Sequence, residues 1–273
     1  MEHFLLTRFN LRLSESDPPH DEGWLRSRAE LFGQFTAPSV RAQGHVSFRW
    51  LIFCDLESPT WLIDLLGSTA TAGEVVRLPA FSSTLIAQEV ATRLTAGTRL
   101  ITTRLDNDDA IGRDFMATVY REAAACGGNT AINVLNGCQL NGETLCLRSD
   151  PSNAFISFVE DLSDPHIRTV FELQHQQWIE AGSVRQVVTQ PLWMQVIHGG
   201  NLKNRLSGIP TKPSRIQPQF PVPLPGNPSN VVLGRRRLVS VVGLGARIVR
   251  SPHRLLWFVR VAAARTLGGR RSR

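Results

Sequence analysis

Three carboxylates stand within four residues in Arg104-Leu105-Asp106-Asn107-Asp108-Asp109. Asp106 and Asp108 are two apart, and at the end of a buried strand they can converge on one divalent cation. Such a cation neutralises a diphosphate and stabilises it as a leaving group. The same crowding suits a solvated loop or a helix N-cap. Position weighs against that plainer reading, because the cluster closes the apolar run 100–105 and follows a helical stretch. No GxSxG, P-loop or HExxH pattern offers a competing chemistry, and Gly243-Leu244-Gly245 lacks the third glycine of a dinucleotide fingerprint.

The elements that would position these acids can be read from hydrophobic periodicity. Residues 3–9, 48–54, 75–78 and 100–105 are short apolar runs that read as strands. Between them, residues 24–37, 59–67 and 84–94 carry helical spacing, and 111–125 comes next as a further helix. Strand–helix alternation over about the first 125 residues predicts an α/β layered fold with a mostly parallel sheet. Ligands sit beyond the carboxyl ends of such strands. Three of those ends carry polar residues: Arg8 and Asn10, then Asp55, then Asp106 and Asp108. Asn-Gly pairs at 136–137 and 141–142 predict hairpin turns in the mixed region 130–165.

Charge divides the 273 residues unevenly. Residues 1–180 hold 14 basic and all 23 acidic side chains, whereas residues 181–273 hold 16 basic side chains and no acid. A binder of nucleic acid is not expected, since the larger part would repel phosphate. Seven prolines in residues 210–228 predict an extended linker. The chain therefore divides into a globular domain at 1–206, a Pro-rich linker at 207–230 and an Arg-rich amphipathic tail at 231–273. In the tail, Leu255, Leu256 and Val259 share a helical face beside arginines and Trp257. Two readings stay open for it: a helix on an anionic membrane surface, or a helix docked on the domain. Four cysteines without a CxxC pair read as free buried thiols, with a disulfide between two of Cys126, Cys138 and Cys146 as the alternative. The start of the sequence has no secretory pattern and no apolar run spans a bilayer, so the expected location is cytoplasmic, or peripheral at the inner face of the plasma membrane.

The stretch 103–115 resembles the DxD region of GT-A glycosyltransferases. More narrowly, the chain resembles the bacterial putative rhamnosyltransferase family. The resemblance is carried by Leu6-Thr7-Arg8-Phe9-Asn10, Trp24-Leu25-Arg26-Ser27-Arg28, Phe35-Thr36-Ala37-Pro38-Ser39-Val40, Trp50-Leu51-Ile52-Phe53-Cys54-Asp55 and Trp193-Met194-Gln195-Val196-Ile197-His198-Gly199-Gly200-Asn201, in that order along residues 4–204. It implies a GT-A, Rossmann-like sheet and a nucleotide-diphosphate sugar donor bound at its carboxyl edge. It further implies that Asp55 contacts the nucleobase, that Arg8 and Asn10 line the nucleotide site, and that Asp106, Asp108 and His198 hold Mn²⁺ or Mg²⁺ while Asp109 braces the loop. Arg104 reads as a strand-end ion-pair partner, with a phosphate contact in the nucleotide site as the alternative. Neutral imidazole suits Mn²⁺ beside carboxylates. A turn role for Asn10, a cap role for Asp55 and a satisfied core role for His198 stay open.

An inverting reaction needs a carboxylate not committed to metal to deprotonate the acceptor hydroxyl. The resemblance implies that this base lies on the later segment, which offers Glu160 first and Asp161 second, each of which also suits a strand-end pair. The expected function is metal-dependent transfer of a sugar, rhamnose among the candidates, to a glycan or lipid-linked acceptor. Two alternatives stand beside it: a nucleotidyltransferase, and a non-catalytic sugar-nucleotide or membrane-binding module.

Overall fold

Apolar runs of five to seven residues, most of them closed by a polar turn, become the inner strands of a mostly parallel sheet covered on both faces. The computed structural model describes residues 1–44, 46–70, 73–95, 97–163, 166–199 and 206–250, with backbone alone for 241–250. The tail positions Leu255 to Val259 lie outside the described residues. In chain order the elements begin with β1 (Glu2–Arg8) and α1 (Glu22–Leu31), which passes through a π-turn (Phe32–Thr36) into α2 (Ala37–Arg41). Next come β2 (Arg49–Asp55), α3 (Thr60–Thr69), β3 (Gly73–Leu78), α4 (Ser83–Ala91), β4 (Arg99–Arg104), β5 (Ala110–Ile111) and α5 (Phe115–Ala124). The chain continues through β6 (Thr130–Val134), β7 (Asn136–Asn141), β8 (Thr144–Ser149), β9 (Ser157–Asp161), α6 (Trp178–Ala181), β10 (Val184–Val187), β11 (Trp193–Ile197), β12 (Ile209–Pro210) and α7 (Asn230–Arg250).

The described strands form a seven-stranded sheet in the order β10-β6-β9-β4-β1-β2-β3 and a five-stranded sheet in the order β12-β8-β7-β11-β5. In the larger sheet β9 alone runs antiparallel to its neighbours β4 and β6. β1, β2 and β4 are parallel and in register, so Arg8, Asp55 and Arg104 leave the sheet at one edge. Phe4, Leu6, Leu51 and Phe53 face one helical layer, and Leu5, Trp50 and Ile52 face the other. Strands buried on both faces carry nearly continuous apolar sequence, which is why the alternation was readable.

Two expectations are corrected by the fold. Of the two Asn-Gly pairs only Asn141-Gly142 turns, with Gly142 at φ +53° between β7 and β8. Gly137 lies within β7 instead, flat against the indole of Trp193, where any Cβ would collide with the ring. The Pro-rich stretch is also not a free linker. Ile209 and Pro210 pair with β8 as an edge strand, and Ile216, Phe220 and Val222 fill the core beneath the smaller sheet. Proline is tolerated there because an edge strand can spare an N–H. The first turns of α7 then dock on that edge through buried Leu233 and a 2.9 Å hydrogen bond from Arg237 Nε to the Pro210 carbonyl. Among the described residues no helix is long and apolar enough to cross a membrane, and all four cysteines are free.

Candidate functional site

The acidic loop joins the two sheets. β4 belongs to the larger and β5 to the smaller, so residues 105–109 must carry the chain from one to the other. The passage is anchored at Leu105, Asn107 and Asp109. The Leu105 N–H donates to the Leu6 carbonyl at 3.1 Å, and the Asn107 amide donates to the Phe9 carbonyl at 2.6 Å. Asp109 is buried; its Oδ1 accepts the Val196 N–H of β11 at 2.9 Å, and its carbonyl accepts the Thr36 hydroxyl at 2.9 Å. Asp109 thus braces the loop. Burial, and then the charges of Asp108 and Asp106, push its carboxyl well above the ordinary aspartate range. Thr36 belongs to the π-turn, whose widened helix precedes Pro38, a residue with no N–H to return to the preceding turn.

The other two acids each meet an arginine. Asp106 takes both its oxygens to Arg104, at 3.0 and 2.9 Å. Burial opposes its ionisation, but Arg104 and Arg8 hold its carboxyl below the ordinary range. Arg104 is held above its ordinary value by the same acids against the effect of burial, and its guanidinium lies 5.8 Å from the Phe171 ring centre. Arg8 packs its guanidinium over Phe81 at 5.3 Å, and burial pulls it down from its ordinary value. Asp108 Oδ2 contacts Arg28 Nη1 and lies 2.8 Å from His198 Nε2. β11 delivers that histidine: it pairs with β5 and ends one residue before His198. Arg28 came from a helix face and was not among the expected site residues. Its only sequence signal was its place in the Trp24–Arg28 segment.

The donor chemistry suits a divalent cation in part. The carboxylate oxygen of Asp108 and the imidazole nitrogen of His198 are close enough to share one coordination sphere. Asp106 would have to turn from Arg104 to join them, and no three His, Cys, Asp or Glu side chains are gathered as a closed cage among the described residues.

Beyond the end of β2 lies a pocket of about 210 Å³ lined by Asn10, His20, Leu25, Asp55, Ser58 and Trp61 with their neighbours. Asp55 is buried there, but its oxygens already receive Arg12 Nε at 2.7 Å, Arg12 Nη2 at 3.2 Å and the Glu57 N–H at 2.8 Å. Asn10 Oδ1 accepts the Asp55 N–H at 3.2 Å, and its amide donates to the Ser58 hydroxyl at 2.9 Å. Both therefore shape the pocket wall. The stacked pair His20 and Trp24, 3.9 Å apart, stands beside it.

Glu160 and Asp161 are not brought to this site. β9 runs antiparallel, so Glu160 faces Leu100 and Asp161 faces Arg99, at the amino end of β4. Four residues of strand, about 13 Å, separate that level from Arg104. There Glu160 accepts the Arg168 N–H at 3.0 Å and Asp161 pairs with Arg99 at 2.9 Å. The chain returns to the acidic edge after β9 and brings His175, whose Nδ1 lies 2.5 Å from the Ser152 carbonyl. Its charge couples to Arg104, Asp106 and Asp150, and burial lowers its pKa from the ordinary histidine value. No periodicity or motif marked it.

A sequence family described as putative rhamnosyl transferase matches residues 15–208. No curated protein matches the sequence. In shape the chain is similar to S. aureus TarS 1–349 in complex with UDP-GlcNAc, with 10% identity, TM-score 0.45 and coverage of 76% of this chain and 62% of that one. The same TarS fragment with UDP gives 13% identity, TM-score 0.45, and coverage of 72% and 61%. The inositol-1-phosphate CTP transferase from T. maritima gives 10% identity, TM-score 0.35, and coverage of 74% and 92%. The chain thus spans about three fifths of the TarS fragment it resembles.

The bracing of the loop sets a first prediction. Asp109→Ala leaves the buried Val196 N–H without its acceptor and should lower stability by about 1–3 kcal/mol. Asp109→Asn keeps an oxygen for that N–H and should unfold within about 1 kcal/mol of wild type. Urea unfolding of both variants at neutral pH checks this; equal losses would mean that the hydrogen bond is not what holds the loop.

Proposed function

The chain belongs to the putative rhamnosyl transferase family, and from that premise we propose that it moves a sugar, rhamnose by the family's description, from a nucleoside-diphosphate donor to an acceptor hydroxyl. One observation carries the reading: three parallel strands deliver Arg8, the Asp55 pocket and the Asp106–Asp108 loop to a single edge, with His198 added from the second sheet. The nucleoside fits the pocket beside Asn10 and Asp55. The diphosphate lies toward Arg8, Arg28 and Arg104, where guanidinium groups can take its oxygens. Asp108 and His198, with Asp106 turned to them, would hold Mn²⁺ or Mg²⁺, which supplies positive charge to the departing diphosphate.

In the transfer the acceptor oxygen bonds to the anomeric carbon as the carbon–phosphate-oxygen bond breaks. The hydroxyl proton must go to a base at this edge. With Glu160 and Asp161 at the far edge, the reading assigns that part to His175. Its Nδ1–H is directed at the Ser152 carbonyl, which leaves Nε2 with a lone pair. Because its pKa is lowered, the imidazole is neutral at pH 7, and transfer should fall only on the acid side of the ordinary histidine value, as protonation removes the lone pair.

The test is transfer from dTDP-rhamnose and from UDP-hexoses, with release of the nucleoside diphosphate as the readout. Glu160→Gln should keep transfer within about twofold, whereas His175→Gln should cut it by about 100-fold with nucleotide binding retained. A collapse in Glu160→Gln with His175→Gln active would return the base to β9. Release of pyrophosphate in place of nucleoside diphosphate would identify a nucleotidyltransferase.

The acceptor in this reading is a glycan or a lipid-linked hydroxyl, met at an anionic membrane surface through α7 and the Arg-rich residues beyond it. In support, Val231, Leu238 and Val239 are exposed on α7 beside the exposed Arg235. Leu238→Glu with Val239→Glu should reduce sedimentation with phosphatidylglycerol vesicles at least ~5-fold and leave binding to phosphatidylcholine vesicles at background. Undiminished sedimentation would remove this face from the membrane.

A further inference from the structure

We propose that Arg28 is a diphosphate-binding residue which, before the donor arrives, stands in the place of the divalent cation on Asp108 and His198, so that cation and donor bind cooperatively. The inference rests on the glycosyl-transfer reading above.

The geometry is local and specific. One guanidinium nitrogen, Nη1, contacts Asp108 Oδ2 and lies 3.2 Å from His198 Nε2 and 3.5 Å from Asn107 Oδ1. A carboxylate oxygen, an imidazole nitrogen and an amide oxygen thus converge on one positively charged group that reaches them from a distant stretch of chain. A divalent ion seeking the Asp108 oxygen and the His198 nitrogen needs that space. The two positive charges would also repel each other, at a point where side-chain exposure is only 13% for Arg28 and 8% for Asp108. A single His198 Nε2 cannot both accept from Arg28 and donate to Asp108, so its lone pair and its proton compete for the same two neighbours.

Arg28 differs in this from Arg104. Arg104 shares a strand end with its acid and grips it with two hydrogen bonds, an arrangement local to residues 104–106. Arg28 instead reaches in from α1, its guanidinium 5.1 Å from the Trp24 ring centre. The same helix contributes Glu22 and Leu25 to the pocket beside Asp55. An arginine on that helix therefore stands between the nucleoside pocket and the acidic loop. A diphosphate spanning the two offers it charged oxygens in exchange for Asp108, and bidentate arginine–phosphate pairing favours the exchange. Removal of the guanidinium vacates the position between Asp108 and His198 that a cation shared by the two would take. By linkage, whatever factor the diphosphate adds to cation affinity, the cation adds to diphosphate affinity.

The experiment is calorimetry on the full chain with Mn²⁺ alone, with UDP or dTDP alone, and with each nucleotide in the presence of Mn²⁺. Wild type should bind Mn²⁺ at least ~10-fold more tightly when a nucleoside diphosphate is present. Arg28→Gln should bind Mn²⁺ alone ~10-fold more tightly than wild type, bind the diphosphate alone ~10-fold more weakly, and lose most of the coupling. Arg28→Lys keeps the charge and should continue to hold Mn²⁺ off. Circular dichroism melts confirm that both variants fold; if Gln does not, Lys against wild type still decides, since Lys should lower diphosphate affinity through loss of the planar fork. Equal Mn²⁺ affinities in wild type and Arg28→Gln, or undiminished diphosphate affinity in the folded variants, would overturn the proposal while leaving the transfer reading intact. Failure of wild type to bind any diphosphate, with or without Mn²⁺, would overturn both.

Discussion

The whole arrangement depends on one crossing: the chain leaves the larger sheet at Arg104 and enters the smaller one at Ala110. Five residues must make that passage, and they carry the three acids. Because β5 pairs with β11, the crossing fixes the distance between the acidic loop and the carboxyl end of β11. The residue just past that end is His198. The Asp109 carboxyl, bonded to the Val196 N–H, ties the same two segments from the side-chain direction. The smaller sheet is therefore less an appendage than the device that brings a histidine, ninety residues away in sequence, to 2.8 Å from Asp108.

The charge balance is a consequence of that geometry. Asp106, Asp108 and Asp109 are packed closely in a partly buried site, where burial and the two neighbouring carboxylates oppose the ionisation of Asp109. Two of them acquire arginines, Arg104 from the same strand and Arg28 from α1, and the third is pushed toward its neutral form. With Arg8 nearby, three guanidinium groups stand beside these three carboxyls among the described residues. A site balanced in this way can accept a diphosphate by exchange of partners, whereas a bare acidic loop would repel it. The opposition in the sequence between an acidic first part and a basic last part is not repeated among these residues: Arg8, Arg28 and Arg104 all lie in the acid-rich part.

Much of the larger sheet was legible because its strands are buried on both sides and so spell continuous apolar runs, as in residues 50–54. The acidic loop was legible for a related reason: polar residues directly after such a run have few structural uses. Glu160 misled because strand direction cannot be read from composition. The run 155–159 has the apolar character of its neighbours, but β9 is reversed, and that reversal carries its closing acids to the far edge. The Asn-Gly at 136–137 misled because it meets the indole of Trp193, a contact over 56 residues that no local rule detects. Arg28 and His175 were invisible for the same reason. Each is an ordinary polar residue whose meaning comes from what the fold places opposite it. The prolines of 210–228 predict a linker between two parts, yet Phe220 and Val222 turn the stretch into part of the core.

In the proposed function the acidic crossing and the pocket beside Asp55 form one site for a nucleoside diphosphate. A crystal structure of the full chain with UDP or dTDP and Mn²⁺ tests it most directly. The base should lie in the pocket lined by Asn10, Asp55 and Trp61, the diphosphate along the Asp106–Asp108 loop, and Arg28 should have moved from Asp108 to a phosphate oxygen. A nucleotide bound elsewhere, for example in the groove between β12 and α7 lined by Ile209 and Arg236, with the acidic loop unchanged, would contradict it.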